Sequence, residues 1–407
     1  MDDSRDVTMH PPVDDRVARR NVMVLATAQA IAGAGAPINF SISSLAAHML
    51  LGPDKSWATL PLSAFVVGTA IGTMPAALLQ RRIGRRFGLI CGMLIGAMGA
   101  LMEAVAVTVF SFPILCLGAF MMGFTAAFVQ QFRFAAADTA SPSFRPKAMS
   151  YVLIGGVMAA IIGPQTVIHT RTAFPIEFVG AYVGAAGLMV LAAIVLAFLH
   201  APAVTPVHTH AGRPLRKIAA QPRFIVAVAC AVTAYALMNL MMTAAPLAMV
   251  GCGFPTDAAV LGIQWHVIAM FAPSFFTGSL ILRFGAERVV AAGLVLLILC
   301  GFIALQGIDL INFWGALVVL GVGWNFGFLG ATALVATTYE PVEKEKVQGL
   351  NDLLVFATVA LASFSSGQIL SIGGWSAVAL TVIPIAVVAL LGLALLLLRS
   401  GRQEASR

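Results

Sequence analysis

Charge is what this sequence has least of. Asp, Glu, Lys and Arg make up 10% of its 407 residues, while hydrophobic residues make up 60%. A soluble domain carries about 25% charged residues, so a soluble enzyme and a disordered chain are both excluded. Cysteine numbers five, an odd count with no C-x-x-C pair, which leaves no disulfide framework and no zinc site. No nucleophile–base motif or phosphate-binding loop appears, and the chain reads as a non-enzyme. Basic residues outnumber acidic ones, 24 to 17. They form no aromatic-interleaved patch, so nucleic acid is not an expected partner. They fall in short clusters between long apolar runs, the pattern of a chain whose partner is the lipid bilayer. No signal peptide precedes the first apolar run, so the N-terminus is expected in the cytosol.

About 20 apolar residues are needed to cross the bilayer core. Segments of that kind lie at 21–48, 58–80, 87–110, 112–136, 148–168, 177–199, 222–249, 257–282, 288–307, 311–337, 347–370 and 374–398. The fold predicted is an all-α membrane protein of twelve transmembrane helices in two six-helix bundles. Its parts are a cytoplasmic tail (1–20), an N-terminal bundle (21–199), a Pro-containing cytoplasmic linker (200–221), a C-terminal bundle (222–398) and a second cytoplasmic tail (399–407). Orientation follows from the cations. With the N-terminus inside, all of the 24 Lys and Arg except Lys55, Arg133 and Arg171 fall in cytoplasmic segments.

The halves repeat each other weakly. After the second run the chain reads Ala77-x3-Arg81-Arg82-x-Gly84-Arg85-Arg86, and after the eighth Gly278-x3-Leu282-Arg283-x-Gly285. The fifth run carries Gly155-Gly156 and Gly163-Pro164, a small-residue packing face with a kink. The loop resembles the G-x3-D-R-x-G-R-R signature of the major facilitator superfamily, and the fifth run resembles that family's Gly-Pro motif. The resemblance spans the whole chain and implies two bundles rocking about a midplane site. Arg81 and Leu282 stand where the signature has Asp, so the family's usual charge-pair latch is not expected here.

Intramembrane ionisable residues are costly and are functional candidates by default. Glu103, Arg133 and Asp352 are candidates for the cavity or for proton coupling, and Asn239, Trp324 and Asn325 are polar positions expected near mid-depth. Soft donors also recur at helical spacing. Met238-x3-Met242 lies in the seventh run and His266-x3-Met270 in the eighth, each pair on one helix face. At 1.5 Å per residue, Met238 lies roughly 24 Å from the cytoplasmic edge and His266 roughly 14 Å from the outer edge. In a core about 30 Å thick the two fall within several ångströms of each other in depth. Cys230 would sit lower, near Met270, and Cys252 at the outer mouth. Thioether, thiolate and imidazole suit copper. Methionine is also ordinary core filler, and 18 of them make such spacings common by chance.

The two motifs on consecutive runs resemble the paired motif of the CcoA-type copper importers, a bacterial branch of the same superfamily. That resemblance implies Met238 and His266 as principal ligands, Met242 and Met270 as supporting ligands, and Cys230 and Cys252 in hand-off. It implies a bacterial inner-membrane importer moving copper as its transported substrate, with no permanently bound cofactor. It also implies supply of cbb-type cytochrome oxidase biogenesis, through cytoplasmic or membrane copper-handling partners. A related branch, the riboflavin importers, is expected to lack the Met/His pair, which favours the metal. Two other readings stay open: import of an organic solute such as riboflavin through Trp324, Tyr235, Asn239 and the glutamines, and a copper-sensing membrane receptor or assembly factor.

Overall fold

The protein is described by a computed structural model covering residues 15–138, 140–141, 144–200 and 212–405. Residues 1–14 of the N-terminal tail and 201–211 of the predicted linker therefore lie outside the described residues. Inside a bilayer every backbone polar group must be satisfied within the chain, so long apolar runs become helices. Ten helices are long and apolar enough to cross a membrane, eleven when one bent pair counts as a single span.

The first span is Asp15–Ala32 continued by Gly35–Leu50. The second to sixth are Leu60–Ile83, Arg85–Thr108, Phe112–Gln130 with Phe132–Asp138, Arg145–Thr170 and Val179–Leu196. The seventh to tenth are Pro222–Gly251, Thr256–Phe271 with Ser274–Phe284, Ala286–Leu305 and Leu310–Ala336.

The last helix, Lys344–Ala405, has 62 residues and supplies two crossings. Gly374 breaks it, with φ 65° and ψ −168°. Before the break, Lys346 reaches Arg213 at the end of the bundle rich in basic residues, and Gln368 reaches Ser56 at the far end. After it, the Trp375 ring lies 4.8 Å from Phe313 at the far end. The chain then returns beside the seventh span, where Pro384 and Val388 line one cleft with Ile225 and Val226. Twelve crossings result, six on each side of the linker.

The weak internal repeat has a backbone counterpart. Gly84 has φ 85° and ψ 154°, and Gly285 has φ 86° and ψ 151°. Both glycines end the second span of their half in a conformation that side chains rarely adopt. Although the signature Asp is absent, each half is fastened nearby by an ion pair. Arg85 pairs with Asp138 in the first half, and Arg223 pairs with Glu287 at 2.5 Å in the second. In the fifth span, a Cβ on Gly155 would lie 2.3 Å from the Ala26 carbonyl oxygen, so the first and fifth spans meet there only because that residue is glycine.

The polar contacts described between the halves gather toward the far end. Arg171 Nε donates to Asp257 at 2.8 Å, and Gln165 donates to Gln264 at 2.9 Å. Gln368 donates to the Ser56 carbonyl at 2.9 Å, and Thr59 to the Phe364 carbonyl at 3.4 Å. At the basic end Gln130, Arg133 and Asp352 are exposed.

Candidate functional site

Three spans are interrupted in mid-course, and the interruptions converge. The first span breaks between Ala32 and Gly35, the fourth at Gln131, and the eighth between Phe271 and Ser274. The last break has a visible cause. Pro273 has no backbone N–H to continue the ladder, and the two helical pieces meet at 40°. Asn325, fully buried on the tenth span, splices the gap. Its Nδ2 donates to the Met270 carbonyl at 2.6 Å and to Ser274 Oγ at 2.7 Å.

Around these breaks lies a cavity between the two halves, with about 210 Å³ open to the centres of water molecules. Its amides are those of Gln29, Gln130 and Asn239, and Thr69, Thr125 and Tyr235 add hydroxyls. Its rings are Phe40, Phe65, Tyr235, Phe271 and Phe356. Its thioethers come from both halves: Met122 and Met189 on one side, Met238, Met242 and Met270 on the other. A mostly apolar wall carrying a few convergent polar groups is the usual form of a small-molecule site.

Tyr235 organises the aromatic side. Its ring centroid lies 5.4 Å from Trp324, 5.0 Å from Phe328 and 5.9 Å from Phe356. Behind it, Trp324 stacks on Phe328 at 5.3 Å with 13° between the planes. Trp324 is itself buried in this second layer rather than on the cavity wall.

Of the expected soft donors, Met238, Met242 and Met270 are brought together on the wall. His266 is turned away. Its ring is fully buried, and Nδ1 lies 2.7 Å from the Leu317 carbonyl oxygen on the tenth span. The expectation that ring and thioether face each other is not met in this conformation, because a main-chain carbonyl holds the imidazole. Cys230 is buried off the wall, and Cys252 is exposed at the far end of the seventh span. Among the described residues no group of three or more His, Cys, Asp or Glu is placed to hold a metal ion.

The remaining candidates divide. Asn239 lines the cavity and accepts from Thr243 at 3.4 Å. Arg133 of the fourth span and Asp352 of the eleventh are both exposed at the basic end, and no ion pair joins them. Glu103 lies wholly buried inside the N-terminal half, off the cavity wall. Sequence reasoning missed Met122 and Met189. The available signal was the small-residue run Ala32 to Gly35, because a Cβ on Gly35 would come within 2.6 Å of the Met189 methyl and 2.9 Å of the Met122 methyl.

The chain matches the family profile described as Major Facilitator Superfamily over residues 21–273 and 265–407. It is 48% identical over 392 residues to riboflavin transporter RfnT of Brucella anthropi, covering 95% of this chain and 98% of that protein. It is 29% identical over 392 residues to the uncharacterized MFS-type transporter YdeG of Bacillus subtilis, covering 92% and 90%. In structure it resembles the nucleoside transporter NupG (TM-score 0.69, 15% identity, 91% of this chain and 99% of the other). It also resembles the POT family transporter PepTSo (TM-score 0.71, 14% identity, 95% and 99%).

These likenesses overturn copper as the cargo. The relative that shares nearly half of this sequence is named a riboflavin transporter, not a copper importer. With copper go the copper-handling partners, the supply of cytochrome oxidase and the copper-sensing receptor.

Proposed function

The chain belongs to the Major Facilitator Superfamily, and on that premise we propose that it is a carrier importing riboflavin into a bacterial cytoplasm. It is a membrane transporter and not an enzyme. The observation that carries the cargo is the 48% identity to RfnT over almost the full length of both chains.

The cavity chemistry supports this reading. The isoalloxazine of riboflavin is a flat, polarisable ring system with hydrogen-bonding atoms along one edge, and its ribityl chain is a row of hydroxyls. Tyr235, Phe271 and Phe356 offer ring faces and edges to such a plane. The five thioethers offer soft contacts with aromatic surface. Gln29, Gln130 and Asn239 offer both donors and acceptors. Met238, Met242 and Met270 act on this reading as wall, not as ligands.

Transport proceeds by rocking of the halves about this site. The basic end is the cytoplasmic one, since basic residues concentrate on the cytoplasmic side of membrane proteins. The conformation described here is therefore joined on the outside, by Arg171–Asp257 and its neighbours, with Gln130 and Arg133 exposed toward the cytoplasm. That is the release state of an importer. The same asymmetry supports an orientation with both termini inside, and the all-helical family fold supports placement in the inner membrane.

A bacterial strain that cannot synthesise riboflavin tests the proposal. Expression of this chain is expected to restore growth on low external riboflavin. Lack of growth with the protein present in the membrane would count against the cargo.

A further inference from the structure

One ionisable group has no part in the cavity described so far. Glu103, in the third span, is 0% exposed, and neither carboxylate oxygen has a well-formed hydrogen bond, although the Asn39 side chain lies within interaction range. Among the described residues no Lys, Arg or His pairs with it. Room for it is provided by the fourth span, where a Cβ on Gly118 would lie 2.7 Å from Glu103 Cγ. Two polar side chains face it, Asn39 from the first span and Tyr182 from the sixth, and Tyr182 is the titratable one. Both are fully buried.

These two neighbours are joined. Ser43 donates to Asn39 Oδ1 at 3.0 Å and lies 3.2 Å from the Tyr182 hydroxyl. Asn39 in turn donates to the Gly35 carbonyl at 3.3 Å. Gly35, Pro37 and Phe40 line the cavity, so Asn39 stands between the cavity wall and Glu103. It also lies just past the break in the first span.

An isolated carboxylate in a dry interior is too costly to keep charged; the group takes a proton instead. We propose that Glu103 is the proton-binding site of this carrier, loaded and unloaded across the first span at Asn39 as the halves rock. The carboxylate takes one proton from water on one side and gives it to water on the other. No electrons move, and the cargo crosses unchanged. The proposal rests on the carrier reading but not on the identity of the cargo.

The test uses the full-length protein in liposomes, with wild type, Glu103→Gln and Glu103→Asp compared. Two assays are run with labelled riboflavin, namely accumulation driven by an imposed proton gradient, and exchange against internal riboflavin with no gradient. Wild type is expected to do both. Glu103→Gln is expected to keep more than half of the exchange rate and lose nearly all gradient-driven accumulation, while Glu103→Asp recovers part of it. Gradient-driven accumulation surviving in Glu103→Gln, or its absence in wild type that exchanges normally, would overturn the proposal. Failure of wild type even in exchange would sink the riboflavin reading instead. An infrared measurement decides the proton site whatever the cargo. A protonated-carboxyl band present at neutral pH and missing in Glu103→Gln is expected, and its absence from wild type would overturn the proposal.

Discussion

The ring of His266 is fastened to the main chain of the tenth span, with Nδ1 2.7 Å from the carbonyl oxygen of Leu317. A carbonyl only accepts, so Nδ1 is the donor. The residue most attractive as a metal ligand in the sequence is thereby a brace between the eighth and tenth spans.

Replacing His266 by Ala is expected to destabilise the protein by about 1–3 kcal/mol, the cost of leaving a buried polar group without its partner. Riboflavin uptake per folded molecule should stay within about threefold of wild type, the reduction going with lost stability rather than lost binding. Thermal unfolding in detergent and transport normalised to folded protein check both. Normal stability with abolished uptake would return the ring to the transport site.

The aromatic side of the cavity gives a sharper prediction. Tyr235→Phe is expected to bind riboflavin nearly as wild type, because the ring contacts with Trp324, Phe328 and Phe356 remain. Tyr235→Ala should weaken binding about tenfold, in line with roughly 1 kcal/mol from the lost ring contact and further loss from the emptied wall. Quenching of riboflavin fluorescence on titration with purified protein reads the affinity.

Much of this was legible beforehand, and the reason is solvent. Lipid forces apolar runs into helices, so their positions could be read from the chain, and the equivalence of Gly84 and Gly285 was visible as a repeated loop. The final pair of spans, placed at 347–370 and 374–398, corresponds to one long helix broken at Gly374. Cargo was not legible. The spacing in Met238-x3-Met242 and His266-x3-Met270 fixes which helix faces the side chains occupy, but not what each face meets. Three thioethers reach the cavity, while the imidazole four residues from Met270 reaches a carbonyl. Asn325 looked like a cavity residue because it is polar at mid-depth, and its task is to splice the broken eighth span. Depth can be counted along one helix; the neighbour across from it cannot.

At the far end, Arg171 is the cation that spans the halves, held by Asp257 and also paired with Glu177. Its guanidinium is pushed above its ordinary pKa by these carboxylates, Asp257 first. Because the groups are partly exposed, the inter-half pair is worth only about 0.2–1 kcal/mol, enough to shift a two-state ratio severalfold. Arg171→Ala is expected to increase the population open at the far end. Spin labels at Asp54 and Ser371, in a background lacking the native cysteines, should show a longer distance component in the variant. An unchanged distance distribution would mean that the apolar contacts alone hold this end shut.

The linker is anchored by an ion pair of its own. Arg213 Nε and Nη2 donate to Glu343 at 2.9 and 2.7 Å, and the Arg213 backbone N–H adds a bond at 2.6 Å. The Arg213 side chain, first, and the Glu340 backbone bring the Glu343 carboxyl down to about 2 from an ordinary 4.5. A carboxyl depressed in the folded state contributes fully above its unfolded pKa, and its contribution is lost as pH falls toward the folded value. Anchoring should therefore hold above about pH 5 and fail progressively toward pH 2. Glu343→Gln should mimic the acid state at neutral pH. Faster trypsin cleavage after Arg216 and Lys217 in the variant is the expected readout, and an unchanged cleavage rate would show that other contacts hold the linker.

The central claim is that riboflavin is the cargo of the cavity between the halves, and its most direct test is uptake of labelled riboflavin by liposomes containing only this protein. The expected result is saturable entry that excess unlabelled riboflavin suppresses and that Tyr235→Ala weakens. Entry no faster than into protein-free liposomes, with the protein folded and inserted, would contradict it.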